Sequence, residues 1–483
     1  MTSIVRMPRR TKIVATLGPA TDDARVMAEL IRAGVDVVRV NFSHGRFEDH
    51  ARRVALVRDA ALSVGRYVSI LGDLSGPKIR IDRFVAGKVN LVEGAHFTLD
   101  VSLDAAAGTI DVVGCAYKDL PRDVHAGDTL LLNDGLIVLE VLGVDGPRVL
   151  TKVVVGGELS NNKGLNRRGG GLSAGALTDK DREDIRIAAR LEVDYLAVSF
   201  PKSAEDMLEA RQLLRAAGGN GRTVAKIERA EAIRHLDEIV AASDAVMVAR
   251  GDLAVEVGNA AVPALQKRMI RMARESNKLV ITATQMMESM IHAPVPTRAE
   301  VSDVANAVLD GTDAVMLSAE SAVGKYPIKA VEAMAQVALG AEKYQFERRT
   351  RTRERTDITF TATDEAIAMA VMYTANHMDV KAIVTLTESG STALWMSRIR
   401  SDIPIYAFTR HEITRRRVTL YRGVYPVAFD VTHTDPVILY ASIFHLLVEL
   451  GLCAVGDLII VTKGELTGVQ GGTNSMRILE VRN

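Results

Sequence analysis

Residues 223–252, TVAKIERAEAIRHLDEIVAASDAVMVARGD, hold two short apolar runs, TVAKIE and AVMVAR, with a longer amphipathic stretch between them. Each run reads as a strand, and the stretch between them reads as a helix. Two strands joined by a helical crossover form one unit of parallel sheet. The rhythm extends in both directions through the first 345 residues. Further runs are KIVATLG (12–18), VDVVRVNFS (35–43), VSILGDL (68–74), YLAVSF (195–200), LVITAT (279–284) and AVMLS (314–318). With the opening pair this makes eight. Helix entries stand between them, among them Thr178, Ser203-Ala-Glu-Asp206 and the capping box Thr297-Arg-Ala-Glu300. Eight βα units suggest a closed (β/α)8 barrel, although an open doubly wound sheet shares the same periodicity.

One interval breaks the rhythm. Residues 75–172 alternate in segments such as GKVNLVEGAHFTLDV and GDTLLLNDGLIVLEVLGV, which read as antiparallel strands with tight turns. They are expected to form a small β-barrel lid inserted after the third barrel strand, leaving 1–74 and 173–345 as the barrel. Five arginines, at 348, 349, 351, 353 and 355, then read as a solvated linker or helix end. An α/β pattern resumes, with strand-like runs at 381–386, 405–409, 424–429, 457–462 and 476–481, so 346–483 is expected to be a separate domain.

Bulk composition narrows the function. The chain has 483 residues, with Lys plus Arg equal to Asp plus Glu at 60 each. That balance gives no support for nucleic acid or a membrane surface as a partner held by bulk charge. Aromatics at 4% are too few for stacking platforms along a single strand. No run approaches the ~18 apolar residues of a membrane span. Cys115 and Cys453 fit no metal spacing and read as reduced thiols, so a cytoplasmic location is expected.

The polar residues then fall into a pattern. In a barrel of this kind the site lies at the C-terminal strand ends, and strand positions two apart share a face. Arg39, Asn41 and Ser43 share one such face, as do Lys226 and Glu228. Asp73, Arg250-Gly251-Asp252, Thr282-Ala-Thr284 and Ser318-Ala-Glu320 end other runs. Singly, each reads as a salt bridge or helix cap; together they read as a site. Glu228 and Asp252 are hard oxygen ligands of the kind Mg²⁺ takes one or two of. Arg39 and Lys226 are cations suited to a phosphoryl group. The Gly251 amide, at a helix start, suits a substrate carboxylate. Phosphoryl transfer asks mainly for positioning and charge stabilisation, which this set supplies. No Ser-His-Asp or Cys-His pairing is legible, and no GxxxxGK[ST] loop. The run Arg167-Arg-Gly-Gly-Gly171 reads as a hinge. His292 and His377 read as surface or packing residues, Met286, Met287 and Met290 as helix core, and Trp395 as packing beneath the 387–392 loop.

Longer motifs resemble the pyruvate kinase family. They include TKIVATLGPAT (11–21), RVNFSHG (39–45), GPKIR (76–80), NNKGLN (161–166), KIERAEAI (226–233), ARGDLAVEVG (249–258), ATQMMESM (283–290) and the long run 296–327. LTESGSTA (386–393), LYRGVYPV (420–427) and GTNSMRI (472–478) extend the likeness to the C-terminal region. The resemblance implies transfer of phosphoryl from phosphoenolpyruvate to ADP, giving pyruvate and ATP, with Mg²⁺ or Mn²⁺ held by Glu228 and Asp252. It implies that Arg39 binds the phosphoryl group, that Lys226 stabilises it in flight, and that Gly251, Asp252 and Thr284 contact substrate, Thr284 near the proton-delivery step. Asn41, Phe42, Ser43, His44, Arg80 and Lys163 match nucleotide-binding positions. Asn41, Ser43 and Asp73 match K⁺ positions, but many members carry Thr where Leu74 stands and Glu where Lys78 stands. A lysine ammonium in place of the ion is therefore expected, with activity independent of K⁺.

The segment Thr387-Glu388-Ser389-Gly390-Ser391-Thr392 resembles the family's effector loop. Bisphosphate-responsive relatives often carry a basic residue where Ser391 stands, so a sugar monophosphate or AMP is the expected effector. A homotetramer is implied by the family alone. Two other readings stand beside this one. Another Mg²⁺-dependent barrel, an aldolase or mutase of phosphoenolpyruvate or pyruvate, would need neither the lid with Lys163 nor the 39–44 segment. A non-catalytic binding protein would have lost some of Lys226, Glu228, Asp252 and Thr284, and none is lost here.

Overall fold

Lys12–Thr16 is buried along its whole length, as are Ser69–Asp73, Ala245–Ala249 and Leu279–Ala283. Strands buried on both faces belong to a parallel sheet covered by helices. The computed structural model bears this out and describes residues 9–347, 360, 362–430, 435–464 and 471–482. The arginines at 348, 349, 351, 353 and 355 lie outside the described residues. Eight strands close a barrel: β1 (Lys12–Thr16), β2 (Val37–Asn41), β3 (Ser69–Asp73), β4 (Tyr195–Val198), β5 (Arg222–Ile227), β6 (Ala245–Ala249), β7 (Leu279–Ala283) and β8 (Ala314–Leu317). Each neighbours the next in sequence, and β8 returns to β1, pairing Lys12 with Ala314. The eight runs read from the sequence are these strands, and the open-sheet alternative is excluded.

The chain divides into two compact units. One comprises Met1–Gly72, Leu191–Tyr195 and Ile270–Asn483; the other comprises Asp73–Arg190 and Leu196–Met269.

The first unit contains a C-terminal five-stranded sheet in the order Val424–Ala428, Ile405–Thr409, Ala382–Leu386, Leu458–Gly464, Thr473–Glu480. The last strand is antiparallel to its neighbour and the rest are parallel. Buried polar contacts join this domain to the N-terminal ends of barrel strands. Lys12 Nζ donates to the Val424 carbonyl at 2.7 Å, and Arg416 Nε lies 3.0 Å from Asp194 Oδ1. Arg398 forms a bidentate pair with Asp313, with Nη1–Oδ2 at 2.8 Å and Nη2 on Oδ1. Glu342, in the helix Pro327–Glu347, accepts from the Thr11 amide and hydroxyl at 2.6 and 2.7 Å. Thr297 caps the helix Arg298–Asp310 with Glu300 as its reciprocal partner, as the sequence predicts.

The second unit holds the insertion. Its strands run from Lys88 to Arg167. Six of them form a curled half-barrel, and a separate two-stranded ladder pairs Lys88–Leu91 with Gly157–Ser160. Two details differ from the sequence reading. The six-stranded sheet is open in strand order rather than a closed small barrel. One pair, His96–Asp100 with Val112–Gly114, is parallel rather than antiparallel. A parallel pair needs a crossover, and the turn-rich segment 101–111 supplies it. Among the described residues no helix is long and apolar enough to cross a membrane.

Candidate active site

Lys226, on β5, is the centre of a charged cluster in the second unit. Its Nζ lies 3.0 Å from Glu228 Oε1 and 3.2 Å from Asp73 Oδ1, and donates to Ser199 Oγ at 2.6 Å. The Ser199 hydroxyl in turn donates to the Leu74 carbonyl at 2.8 Å. Period-two alternation puts Lys226 and Glu228 on one side of the strand. Glu228 Oε2 accepts from the Phe200 amide at 2.9 Å. Burial, above all, pushes the Glu228 carboxyl up to about 7; Lys226 opposes the shift, and the charges of Asp252 and Asp73 add to it. Glu228 thus feels both other acids, and this pocket favours a further positive charge.

Asp252 stands in the first turn of the helix Arg250–Val257, which begins where β6 ends. The sequence pattern sets Asp252 at the end of the strand-like run, whereas in the structure the strand stops at Ala249 and the helix already includes it. A helix start suits an acid, because free N–H groups and the helix dipole face it. Lys78 Nζ lies 3.1 Å from Asp252 Oδ1 and 3.9 Å from Asp134 Oδ1. Leu74, which has no side-chain oxygen to offer an ion, is buried.

Glu228 and Asp252 supply hard oxygens and no sulfur or imidazole, which suits Mg²⁺ or Mn²⁺. Among the described residues no group of three or more His, Cys, Asp or Glu forms a ready-made metal cage. A hexacoordinate ion that draws its other ligands from substrate and water does not require one.

The first unit carries the other candidates. Arg39 Nη1 donates to Thr16 Oγ1 at 3.2 Å, and Thr16 Oγ1 in turn donates to the Leu317 carbonyl at 2.8 Å. Asn41 Oδ1 accepts from the Ser43 amide at 3.1 Å, folding the chain into a turn that leaves Ser43 and His44 exposed. Phe42 does not share that exposure. Its ring is buried edge-on against His50, with centroids 5.0 Å apart, so its side chain packs the barrel. Thr284 follows β7 with φ +67°, and Gln285 has φ +53°. A β-branched residue in the left-handed region is strained, and such strain concentrates at functional sites. Glu320 braces this loop, accepting from the Met287 amide at 3.1 Å and the Ser318 amide at 2.7 Å. Met286, Met287 and Met290 are buried, but only Met290 lies in a helix, the short 3₁₀ turn Glu288–Ile291.

In the insertion, Arg80 bridges Gly164, and its Nη1 donates to the Asn162 carbonyl at 3.1 Å. The Ile81 amide donates to the Lys163 carbonyl at 3.0 Å, so Arg80 and Lys163 lie on neighbouring segments.

In the C-terminal domain Thr387 Oγ1 accepts from the Gly390 amide at 2.9 Å, and Gly390, at φ +84°, opens the helix Ser391–Ser397. Thr392 is buried, with its hydroxyl 2.7 Å from that of Thr473. Glu388 pairs with His411 and lies 3.6 Å from Arg410. Trp395 donates from Nε1 to Asp364 at 3.2 Å and lies in the helix Ser391–Ser397, whose first residues end the 387–392 loop. His292 and His377 are exposed, His377 stacked on Tyr373. Both cysteines are free and buried.

Sequence reasoning missed Ser199 as a partner of Lys226, and missed Glu256, Asn166 and Glu231 at the root of the insertion. Ser199 sits in a run already read as a strand, yet nothing in one strand's alternation tells which neighbour it faces.

The family model described as "Pyruvate kinase, barrel domain" matches residues 8–331, and "Pyruvate kinase, alpha/beta domain" matches residues 365–479. The chain is 55% identical over 480 residues to "Pyruvate kinase II" of Salmonella typhimurium, covering 99% of each chain. It is 52% identical over 481 residues to "Pyruvate kinase" of Haemophilus influenzae, again covering 99% of each. Against "Pyruvate kinase" of Geobacillus stearothermophilus the identity is 43% over 475 residues, covering 98% of this chain and 80% of the relative. Fold and matches together define a barrel phosphotransferase. The chain belongs to the pyruvate kinase family, and its reaction moves phosphoryl from phosphoenolpyruvate to ADP, giving pyruvate and ATP. The aldolase or mutase reading finds no support.

Proposed function

We propose that the Lys226–Glu228–Asp252 cluster is where the phosphoryl group is transferred. The observation that carries this is the ammonium of Lys226 lying 3.0 Å from Glu228 Oε1, with Asp73 and Ser199 fixing it from the other side. Lys226 stabilises negative charge on the phosphoryl group in flight. Glu228 and Asp252 hold Mg²⁺ or Mn²⁺, which when bound neutralises phosphoryl and substrate oxygens. Arg39 binds the phosphoryl group by its fork. Gly251, Asp252 and Thr284 contact the substrate, with Thr284 near the proton that converts enolate to pyruvate. Asn41, Ser43, His44, Arg80 and Lys163 bind the nucleotide, and Phe42 belongs to that segment through its backbone. Lys78 supplies the fixed charge that replaces K⁺, leaving Asn41, Ser43 and Asp73 without that ion to hold.

The working divisions are 1–74 with 173–345 for the barrel, 75–172 for the lid and 346–483 for a regulatory domain. The loop Thr387–Thr392 takes a phosphorylated effector, a sugar monophosphate or AMP. The enzyme works in the cytoplasm as a homotetramer. Val437, Ile438 and Val448, exposed on the helix Pro436–Glu449, support burial against another copy.

The test of the metal centre is Mn²⁺ binding, read by electron paramagnetic resonance, in Glu228→Gln and Asp252→Asn. Each variant should bind about tenfold or more weakly than the parent. Unchanged affinity in both would remove the centre from this cluster.

A further inference from the structure

Asp252 and Glu256 stand one turn apart on the helix Arg250–Val257, four residues from one another and so on one face. Each grips one of the two chain crossings that tie the insertion to the barrel. Asp252 meets the outgoing crossing through Lys78, at 3.1 Å. Glu256 meets the returning one: its Oε1 accepts from Asn166 Nδ2 at 3.3 Å, and its main-chain carbonyl accepts from the Gly169 amide at 3.0 Å. Its Oε2 accepts from the Ala230 amide at 2.9 Å, fixing the carboxylate from the barrel side. One residue on, Glu231 accepts from the Gly171 amide. Gly170 lies between these contacts at φ +80°, and a Cβ there would collide with the Glu231 carboxylate. Glu256 is 6% exposed, and both its oxygens face donors, so neither contact can be exchanged for water at low cost.

These contacts make the helix a plate to which both crossings are fastened. Displacing the returning crossing pulls on Glu256, and the rigid helical turn carries that displacement to Asp252. We propose that Glu256 is a positioning residue that couples the attitude of the insertion to the placement of the Asp252 carboxylate. Movement of the nucleotide-bearing lid and assembly of the metal centre then become one event. The coupling rests on the metal role proposed above for Asp252; the anchoring of the crossing by Glu256 does not.

The test uses Glu256→Gln, Asn166→Ala and the double variant in the full-length protein. Glutamine keeps the size of glutamate but removes the charge that strengthens both hydrogen bonds, and Asn166 must turn its own amide to meet the new N–H₂. Three quantities are read: hydrogen exchange at Gly169–Gly171, Mn²⁺ affinity without substrates, and the Michaelis constants for ADP and phosphoenolpyruvate beside kcat. Each single variant should speed exchange and weaken Mn²⁺ binding by about tenfold. Each should also raise the constant for ADP more than that for phosphoenolpyruvate. The double variant should be no worse than the worse single one, because both break the same link. Faster exchange at the crossing with unchanged Mn²⁺ affinity overturns the coupling, and so do additive effects of the two substitutions. Should Glu256→Gln fail to fold, Asn166→Ala carries the same test. If Asp252→Asn leaves Mn²⁺ binding intact while Glu256→Gln still loosens the crossing, the metal assignment fails and the coupling falls with it, but the anchor stands.

Discussion

Lys226 and Glu228 touch across 3.0 Å on one side of the fifth barrel strand, so the group proposed to stabilise the migrating phosphoryl also holds a proposed metal ligand. Removing the ammonium while keeping the stem separates these two duties. Lys226→Met should lower kcat by at least about 10²–10³-fold, the usual cost of losing one preorganised donor. The Michaelis constants should change little, because the lost interaction is made mainly in the transition state. Mn²⁺ should still bind, because Glu228 and Asp252 remain, whereas the melting temperature of the metal-free protein should fall, because Glu228 and Asp73 lose a buried partner. A coupled pyruvate assay measures the first two, and residual turnover within tenfold of the parent's would refute the assignment.

The Glu228 carboxyl gives the metal centre a pH dependence. In the metal-free protein its pKa is raised from an ordinary 4.5 to about 7. The folded state therefore keeps a proton that the unfolded chain releases. Its stabilising contribution is complete below 4.5 and is lost as pH rises toward about 7. A divalent cation needs the carboxylate, so its affinity moves the opposite way. Mn²⁺ affinity should climb by up to about tenfold per pH unit below 7, level off above, and release a proton on binding. Calorimetry in two buffers of different ionisation enthalpy reads that proton. A flat affinity profile between about pH 5.5 and 8 would show that no proton leaves Glu228 when the ion binds.

How far these sites were legible depends on the distance over which the chain writes its signals. The eight barrel strands could be read because each is a short apolar run, six of them buried throughout, and this is a property of consecutive residues. Lys226 and Glu228 could be read together because strand alternation puts positions two apart on one side. Alternation says nothing about what the neighbouring strands bring to that side. Ser199 and Asp73, which complete the shell of Lys226, come from elsewhere in the chain. Lys78 and Asp252 are 174 positions apart, and Asn166 and Glu256 are 90 apart. No local period joins them; only closure of the barrel and the path of the insertion do. The parallel pair of strands in the insertion was missed for the same reason, since a short crossover resembles a hairpin turn in sequence.

Lys78 carries a fixed positive charge next to Asp252, and on the proposal that this ammonium stands in for a dissolved monovalent cation, K⁺ should be dispensable. Turnover should change by less than about twofold when K⁺ is replaced by a larger organic cation at constant ionic strength. Lys78→Ala should lose about tenfold or more in kcat. Loss of nearly all turnover in the parent without K⁺ would contradict this.

The pair between Arg398 and Asp313 is buried on both sides, so its loss should be felt in stability rather than in chemistry. Arg398→Met leaves Asp313 buried without its bidentate partner, keeping the Val280 amide at 2.9 Å and the charges of Arg274 and Arg422 nearby. Such a break costs about 3–5 kcal/mol. The melting temperature should fall clearly, whereas Arg410→Met, which removes a more exposed guanidinium 3.6 Å from Glu388, should shift it little. Equal melting temperatures for the two variants would mean that the C-terminal domain does not depend on this pair.

Thr284 offers a test in which stability and activity move apart. At φ +67° its β-branched side chain is held in a conformation it disfavours. Holding a non-glycine residue there costs about 1–3 kcal/mol, which the surrounding loop supplies through the two amides on Glu320. Glycine adopts the same backbone without strain. Thr284→Gly should therefore leave the melting temperature unchanged or raise it, although it deletes the hydroxyl that donates to the Ala283 carbonyl at 2.7 Å. If that hydroxyl lies near the proton-delivery step, kcat for pyruvate formation should fall by about 10–10²-fold. Thr284→Ser keeps the hydroxyl and removes the branch, so it should recover most of the rate. A glycine variant that is both less stable and fully active would mean that the threonine side chain stabilises the loop and that Thr284 has no part in the reaction.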